Sequence, residues 1–304
     1  VYLRYFGLTE KPFSIAPNPE FLFLSDRHKE ALAHLTYGLG DAGGFVLLTG
    51  EVGTGKTTVT RSMLAQLPES TQVAFVLNPA LSEMELLASI CDELNIEYDA
   101  KEASLKSLTD VIKARLLENH EQGGHTMLII DEAQHLAAEV LEQLRLLTNL
   151  ETDHKKLLQI VLVGQPELQQ LLQRNELRQL AQRITARYHL LPLTESQVFS
   201  YIKHRLNKAG CEANLFSDQS IQYIHQVTAG IPRLINLLAD RCLLGAYSAQ
   251  QQEVSKQIAQ EAAKEALPLN LIPEQQKRAL NVPALVSGWV AAMFACGFGL
   301  SFIF

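Results

Sequence analysis

Residues 45–58 read FVLLTGEVGTGKTT, and this stretch decides the fold. Phe45 to Thr49 is a short apolar run, the composition of a strand buried on both faces of a parallel sheet. It passes directly into G-x-x-x-x-G-K-T: Gly50, Glu51, Val52, Gly53, Thr54, Gly55, Lys56 and Thr57, with Thr58 following. Between a strand and a helix, that pattern is a phosphate-binding loop. Glycine at 50, 53 and 55 lets a phosphate approach backbone N–H groups that a Cβ would obstruct. Lys56 places a compact positive charge on the β and γ phosphates, the Thr57 hydroxyl ligates Mg²⁺, and the helix N-terminus adds its partial positive charge. Residues 50–58 are therefore the expected cofactor-binding segment, and ATP with Mg²⁺ the expected cofactors.

Outward from this loop, apolar runs alternate with amphipathic helical patterns. VAFVLN (73–78), TMLIID (126–131), LQIVLVG (158–164) and YHLLPL (188–193) read as further strands, so the fold class is α/β with a parallel sheet covered on both sides. Upstream, Asp26 stands where it can cap a helix containing Ala31, Leu32, Leu35 and Leu39. The opening VYLRYFGLTEKPFSIAPNPEFLFLS is aromatic and broken by Pro12, Pro17 and Pro19; it predicts an extended segment lying over another part of the molecule. After Leu193 the strand signals stop, and three helical patterns follow, with Gly210 and Gly230 at their ends. The expected division is 1–193 as the ATPase core with the N-terminal segment, 194–266 as an all-helical lid, 267–281 as a Pro-punctuated linker and 282–304 as a separate terminal element.

Composition excludes several classes. The chain has 304 residues, 47% hydrophobic and 19% charged, with a formal net charge of -7. Lys and Arg are spread along it, which argues against a protein whose main task is gripping phosphate backbones, so nucleic acid is not the expected partner. Cys91, Cys211, Cys242 and Cys296 show no metal-ligand spacing and read as free thiols.

The strand at 126–131 ends in Asp131-Glu132. Adjacent acids at the C-terminal end of a strand face the crevice where open α/β sheets bind ligands. Asp131 is the expected second Mg²⁺ partner beside Thr57, and Glu132 the residue that polarises the attacking water, which favours hydrolysis over transfer to an organic acceptor. Gln165, at the tip of the strand at 158–164, is placed to orient that water, although Gln-Pro is also an ordinary turn. Arg178, Arg183 and Arg187 precede the last strand. One of them is expected to reach a neighbouring subunit's γ-phosphate, Arg183 first and Arg187 second. Arg233, in GIPRLINLLADR, opens a lid helix from which it can swing over the nucleotide.

Together these features resemble the AAA+ ATPases. More narrowly, YFGLTEKPFSIAPNPEFLFLS, TGEVGTGKTT, LIIDEAQHL, EQLRLLTNLET, VLVGQPELQQ and QRITARYHLLPL resemble the ExeA or general secretion pathway protein A family over roughly residues 2–265. The resemblance implies Gln165 as sensor 1, Arg183 as the arginine finger and Arg233 as sensor 2, in a ring-like homo-oligomer. It further implies an inner-membrane ATPase of type II secretion that works with a GspB/ExeB-type partner to place the secretin through peptidoglycan. Peptidoglycan itself would be met only by a region beyond the residues read here.

The run VPALVSGWVAAMFACGFGLSFIF, residues 282–304, carries no charge and follows Lys277 and Arg278. As a helix it would extend roughly 35 Å, enough to cross a hydrocarbon core. The expectation is a C-terminal transmembrane helix in a single-pass protein of the bacterial inner membrane, with the ATPase on the cytoplasmic side. A small-residue stripe of Gly288, Ala292 and Cys296 along it would seat a partner's membrane helix. The alternative readings are an ATPase of the DNA-associated initiator or transposition-helper type, and a pilus-biogenesis ATPase.

Overall fold

The computed structural model describes residues 2–16, 18–38, 44–77, 81–151 and 156–268. Five strands, β1 (Gly44–Gly50), β2 (Thr71–Val76), β3 (His125–Ile130), β4 (Leu158–Gly164) and β5 (Ile184–Leu190), form one sheet in the order β2-β3-β4-β1-β5. Every pairing in it is parallel. The helices are α1 (Asp26–Gly38), α2 (Lys56–Leu64), α3 (Glu83–Glu93), α4 (Leu105–Glu121), α5 (Ala138–Leu147), α6 (Pro166–Leu172) and α7 (Arg178–Ala181), then α8 (Glu195–Lys208), α9 (Asp218–Thr228), α10 (Pro232–Ser248) and α11 (Lys256–Ala266).

The central strands β1 and β4 are buried along their whole length. Because successive side chains point to opposite faces, each strand feeds two cores. Phe45, Leu47, Ile160 and Leu162 pack with α3 to α6, while Val46, Leu48, Val161 and Val163 meet Ala31 and Leu35 of α1 and Val59 and Met63 of α2. Several helix starts are written locally. Ser82 with Glu85 and Thr194 with Gln197 form reciprocal capping boxes on α3 and α8, each contributing about 1 kcal/mol. On α1 the cap is Ser25 and not Asp26, since the His28 N–H donates to Ser25 Oγ.

The fifth strand begins at Ile184, earlier than the apolar run at 188–193 suggests, and stops at Leu190. It lies at the sheet edge with its side chains alternating between exposed and covered positions, so polar Thr185 and Arg187 fit it, and Pro192 lacks the N–H that continued pairing would use.

Helices α8 to α11 build a separate core from Ile202, Leu206, Ile224, Ile235 and Leu243, and the N-terminal segment contributes Tyr2, Phe6, Leu8, Phe13 and Phe21 to it. The segment joins this bundle and not the sheet because the bundle offers it specific partners. Arg205 of α8 donates to the carbonyls of Pro12 (2.6 Å) and Ser14 (3.0 Å), its guanidinium lies 4.7 Å over the Phe21 ring, and the Thr9 N–H donates to the Ala209 carbonyl. Phe13 meets Phe216 edge to face.

The expected membrane helix is corrected. Among the described residues, no helix is long and apolar enough to cross a membrane. The longest, α4 and α10, have 17 residues each, roughly 26 Å. Both carry charges along their length, including Lys113 and Arg115 on α4 and Asp240 and Arg241 on α10. The run 282–304 lies outside the described residues, and with it the whole small-residue stripe of Gly288, Ala292 and Cys296. Among the described residues the architecture is a parallel α/β AAA+-type core with a helical lid and includes no transmembrane helix, so the single-pass inner-membrane placement that rested on one is withdrawn.

Candidate active site

The loop after β1, the end of β3, the N-terminal segment, α8 and the start of α10 surround a cleft of about 470 Å³. Lys56, Thr57, Glu132 and Arg233 line its polar end, and Phe21 and Tyr201 its aromatic end.

The loop glycines answer to protein neighbours as well as to a phosphate. Gly53 (φ 82°) and Gly55 (φ 104°) occupy the left-handed region. A Cβ on Gly53 would stand 2.6 Å from Arg233 Cβ, and one on Gly55 would stand 2.7 Å from His28 Nε2. The loop is thus clamped between α10 and α1, and the Arg233 N–H donates to the Gly53 carbonyl at 3.3 Å. A backbone of this shape, followed by the N-terminus of α2, fits a polyphosphate. Buried Lys56 extends its Nζ to the carbonyls of Gly50 (2.9 Å) and Glu51 (3.1 Å). Burial lowers its pKa, and the carboxylates of Glu132, Asp131 and Glu51 oppose that shift.

Thr57 Oγ1 donates to Asp131 Oδ2 at 3.4 Å, and the Glu132 N–H donates to Asp131 Oδ1 at 2.9 Å. Burial raises the Asp131 pKa, and the neighbouring Glu132 charge acts in the same direction. A hydroxyl and a carboxylate oxygen this close form a hard-oxygen pair of the kind Mg²⁺ takes alongside waters and substrate phosphates, so the donors fit the metal. Glu132 itself has φ 54°. Its Oε2 accepts from Gln165 Nε2 (3.0 Å) and from Gln134 Nε2 (2.5 Å). Burial pushes this carboxyl up, but the two amides and Lys56 outweigh it and hold the group below its ordinary value.

Two residues here have no role in the sequence reading. Gln134 sits in the 3-10 turn Ala133–His135 and also accepts from the Gln165 N–H at 3.0 Å. His28, 3% exposed, bridges Ser25 Oγ (2.6 Å) and the Thr54 carbonyl (3.1 Å). A carbonyl only accepts, so Nε2 bears the hydrogen and Nδ1 accepts from the serine hydroxyl. The Ser25-x-x-His28 spacing at a helix start was the available signal for this bridge.

Burial lowers the His28 pKa from 6.5, with the Thr54 carbonyl opposing. The unfolded chain therefore binds a proton that the folded chain refuses. The neutral histidine's contribution is fully present above pH 6.5 and is lost as the pH falls from there toward the folded value. Denaturant unfolding of the wild type between pH 7 and pH 5 is expected to show a steeper loss of stability than His28→Gln, by up to about 1.4 kcal/mol per pH unit. Parallel pH profiles would remove His28 from this role.

The arginines before β5 stand elsewhere. Arg183 donates to the Arg145 carbonyl (2.9 Å) and to Thr148 Oγ1 (2.8 Å), capping the C-terminal end of α5, and its own carbonyl receives the Phe45 N–H at the start of β1. The seven residues of β1 separate that end of the sheet from the phosphate loop by roughly 20 Å, too far to serve the same subunit's cleft. Arg187 donates to the Ala181 carbonyl and Arg178 to Asn175 Oδ1. Of the expected site residues, Glu132, Gln165, Arg233 and loop residues 50–58 with Asp131 converge, and Arg183 does not join them within one chain.

Comparison with known proteins places this geometry. Residues 40–172 match the AAA domain family. Over 248 residues, 82% of the chain, the sequence is 60% identical to general secretion pathway protein A of Aeromonas hydrophila, which establishes homology; the chain spans 45% of that relative's length. Three solved structures share the fold at low identity. They are Cdc6p from Pyrobaculum aerophilum (19% identity, TM-score 0.66, 84% of this chain and 70% of that one), Drosophila ORC bound to DNA (17%, 0.65, 91% and 68%) and the RuvB Holliday junction branch migration motor of Thermotoga maritima (19%, 0.53, 80% and 70%). The chain thus carries an AAA+ ATPase domain, which in general binds ATP with Mg²⁺. The expectation of a membrane-anchored ATPase dedicated to type II secretin placement with a GspB/ExeB-type partner is corrected: no helix among the described residues is long and apolar enough to anchor it, and the chain spans less than half of the secretion-pathway relative.

Proposed function

From a chain homologous to general secretion pathway protein A, we propose an ATP-hydrolysing AAA+ switch of the initiator and transposition-helper architecture, active between copies of itself. The observation that carries this reading is the convergence on one cleft of Lys56, Glu132 and Arg233, from the loop, the sheet and the lid.

In this reading the core ends at residue 193, its N-terminal segment lying on the lid, and 194–266 form the lid that reports on the nucleotide. Thr57 and Asp131 would hold Mg²⁺, which would supply positive charge against that of the phosphates. Lys56 leaves the Gly50 and Glu51 carbonyls for the phosphates, and the loop N–H groups of residues 50–58 cradle them. Glu132 takes the proton of the attacking water, and Gln165 fixes the direction in which that carboxylate faces. Arg233 senses the γ-phosphate from the first turn of α10, so loss of phosphate releases the lid at its contact with Gly53.

Self-association is consistent with this fold, and the offset of Arg183, roughly 20 Å along β1, supports its service to a neighbour's site. Arg183→Ala is expected to lower turnover roughly 10²-fold or more, with ATP affinity unchanged. Mixing it with Glu132→Gln is expected to restore activity, because the second variant lends its arginine to the first one's intact cleft. No recovery in the mixture would reject the trans role and return Arg183 to capping α5. The solved neighbours favour a nucleic acid as what the switch acts on. Salt-sensitive retention of duplex DNA by the ATP-bound protein supports that setting, and no retention at low salt removes it.

A further inference from the structure

We infer that Gln134 is a positioning residue for hydrolysis, a clamp that fixes the carboxylate of Glu132 and the tip of β4 in one frame. The inference rests on Glu132 acting on the attacking water.

The orientation of the Gln134 amide is decided by its partners. The Gln165 backbone N–H can only donate, so the atom 3.0 Å from it is Gln134 Oε1. Nε2 must then face Glu132, whose Oε2 it reaches at 2.5 Å. Gln165 Nε2 arrives at the same Oε2, at 3.0 Å. Two donors on one oxygen fix the plane of the carboxylate and leave Oε1 to meet a water. A single donor would leave the group free to turn about its own bond. The left-handed backbone at Glu132 (φ 54°) starts the 3-10 turn that carries Gln134 back over the carboxylate.

The strand end is shaped to receive this amide. Gly164 ends β4 immediately before Gln165, and a Cβ there would stand 2.7 Å from Gln134 Oε1 and 2.8 Å from Leu168 Cδ2. The strand end leaves room for the glutamine. The clamp therefore links the residue at the end of β3 with the residue at the end of β4, and a shift at either strand end is felt at Glu132.

The test compares Gln134→Leu, Gln134→Glu and Gly164→Ala by steady-state phosphate release and by titration with a fluorescent ATP analogue. Gln134→Leu is expected to lower kcat roughly 10- to 100-fold, the scale of one hydrogen bond to a charged group, with analogue affinity within twofold of wild type. Gln134→Glu keeps the acceptor for the Gln165 N–H and leaves no void, but it replaces the donor with a second carboxyl facing Glu132, so it is expected to fall at least as far. Gly164→Ala displaces the amide without altering any charge and is expected to lower kcat in the same way. A merely structural glutamine would instead move melting temperature and affinity together, and that pattern, or a wild-type kcat in Gln134→Glu, overturns the inference. Should Gln134→Leu fail to fold, Gln134→Glu decides. Glu132→Gln is run alongside: its normal turnover would sink the reading of Glu132 itself, whereas a stalled Glu132→Gln beside an active Gln134→Glu sinks only the clamp.

Discussion

Glu132→Gln is expected to bind ATP with near wild-type affinity and to release phosphate roughly 10²- to 10⁴-fold more slowly, the range spanned by loss of a general base. The geometry separates the two effects. Affinity comes from the loop backbone, Lys56 and the Thr57–Asp131 pair, none of which the substitution alters. Turnover depends on a carboxylate held ionised at the end of β3 by two amide donors and Lys56. An amide at 132 preserves size and can still accept from Gln165 or Gln134, but it does not take a proton from water. Single-turnover release of phosphate, set beside retention of labelled ATP, checks this. Phosphate release at the wild-type rate would remove Glu132 from the chemistry.

The second large effect is Lys56→Ala, expected to weaken ATP binding by at least about 10²-fold, the scale of losing hydrogen bonds between charged partners. Fold stability should change little. Lys56 is desolvated where it stands, and its amino group is occupied by two backbone carbonyls of its own loop, which water entering the open cleft can satisfy when it goes. The ligand loses the one side-chain cation of the loop. The carboxylates of Asp131 and Glu132 would meanwhile lose a charge that opposes their mutual repulsion, which adds to the penalty for an incoming polyphosphate. Titration with a fluorescent ATP analogue, with thermal unfolding as a control, measures both sides. Unchanged affinity would show that the backbone cradle alone holds the phosphates.

Much of this was legible in one dimension because the physics is local. A phosphate loop is a run of consecutive backbone groups, so its residues are neighbours in sequence as well as in space. The strands β1, β3 and β4 were readable since burial on both faces leaves an unbroken apolar run. Asp131 and Glu132 follow from standing at the end of such a strand. The start of β5 was not readable, because an edge strand tolerates Thr185 and Arg187 on its open face and its apolar signal begins late. Gln134 had no signature either: its meeting with Glu132 and Gln165 depends on a left-handed residue, a 3-10 turn and the absence of a Cβ at Gly164. The destination of the aromatic N-terminal segment was equally hidden. Its composition shows that it must cover something, while Arg205 and Phe216 decide that the helical bundle is covered.

The sequence by itself determined a P-loop parallel α/β core followed by a helical unit, and the residues that face a nucleotide's phosphates, because short-range spacing and periodicity encode both. Tertiary structure alone decided which residues hold those groups in place: His28 beneath the loop, Gln134 over Glu132 and Arg233 against Gly53. It also decided that Arg183 stands at the far end of the sheet from its own cleft. Each of these depends on distances between segments far apart in the chain, and such distances are fixed only when the sheet and lid have packed.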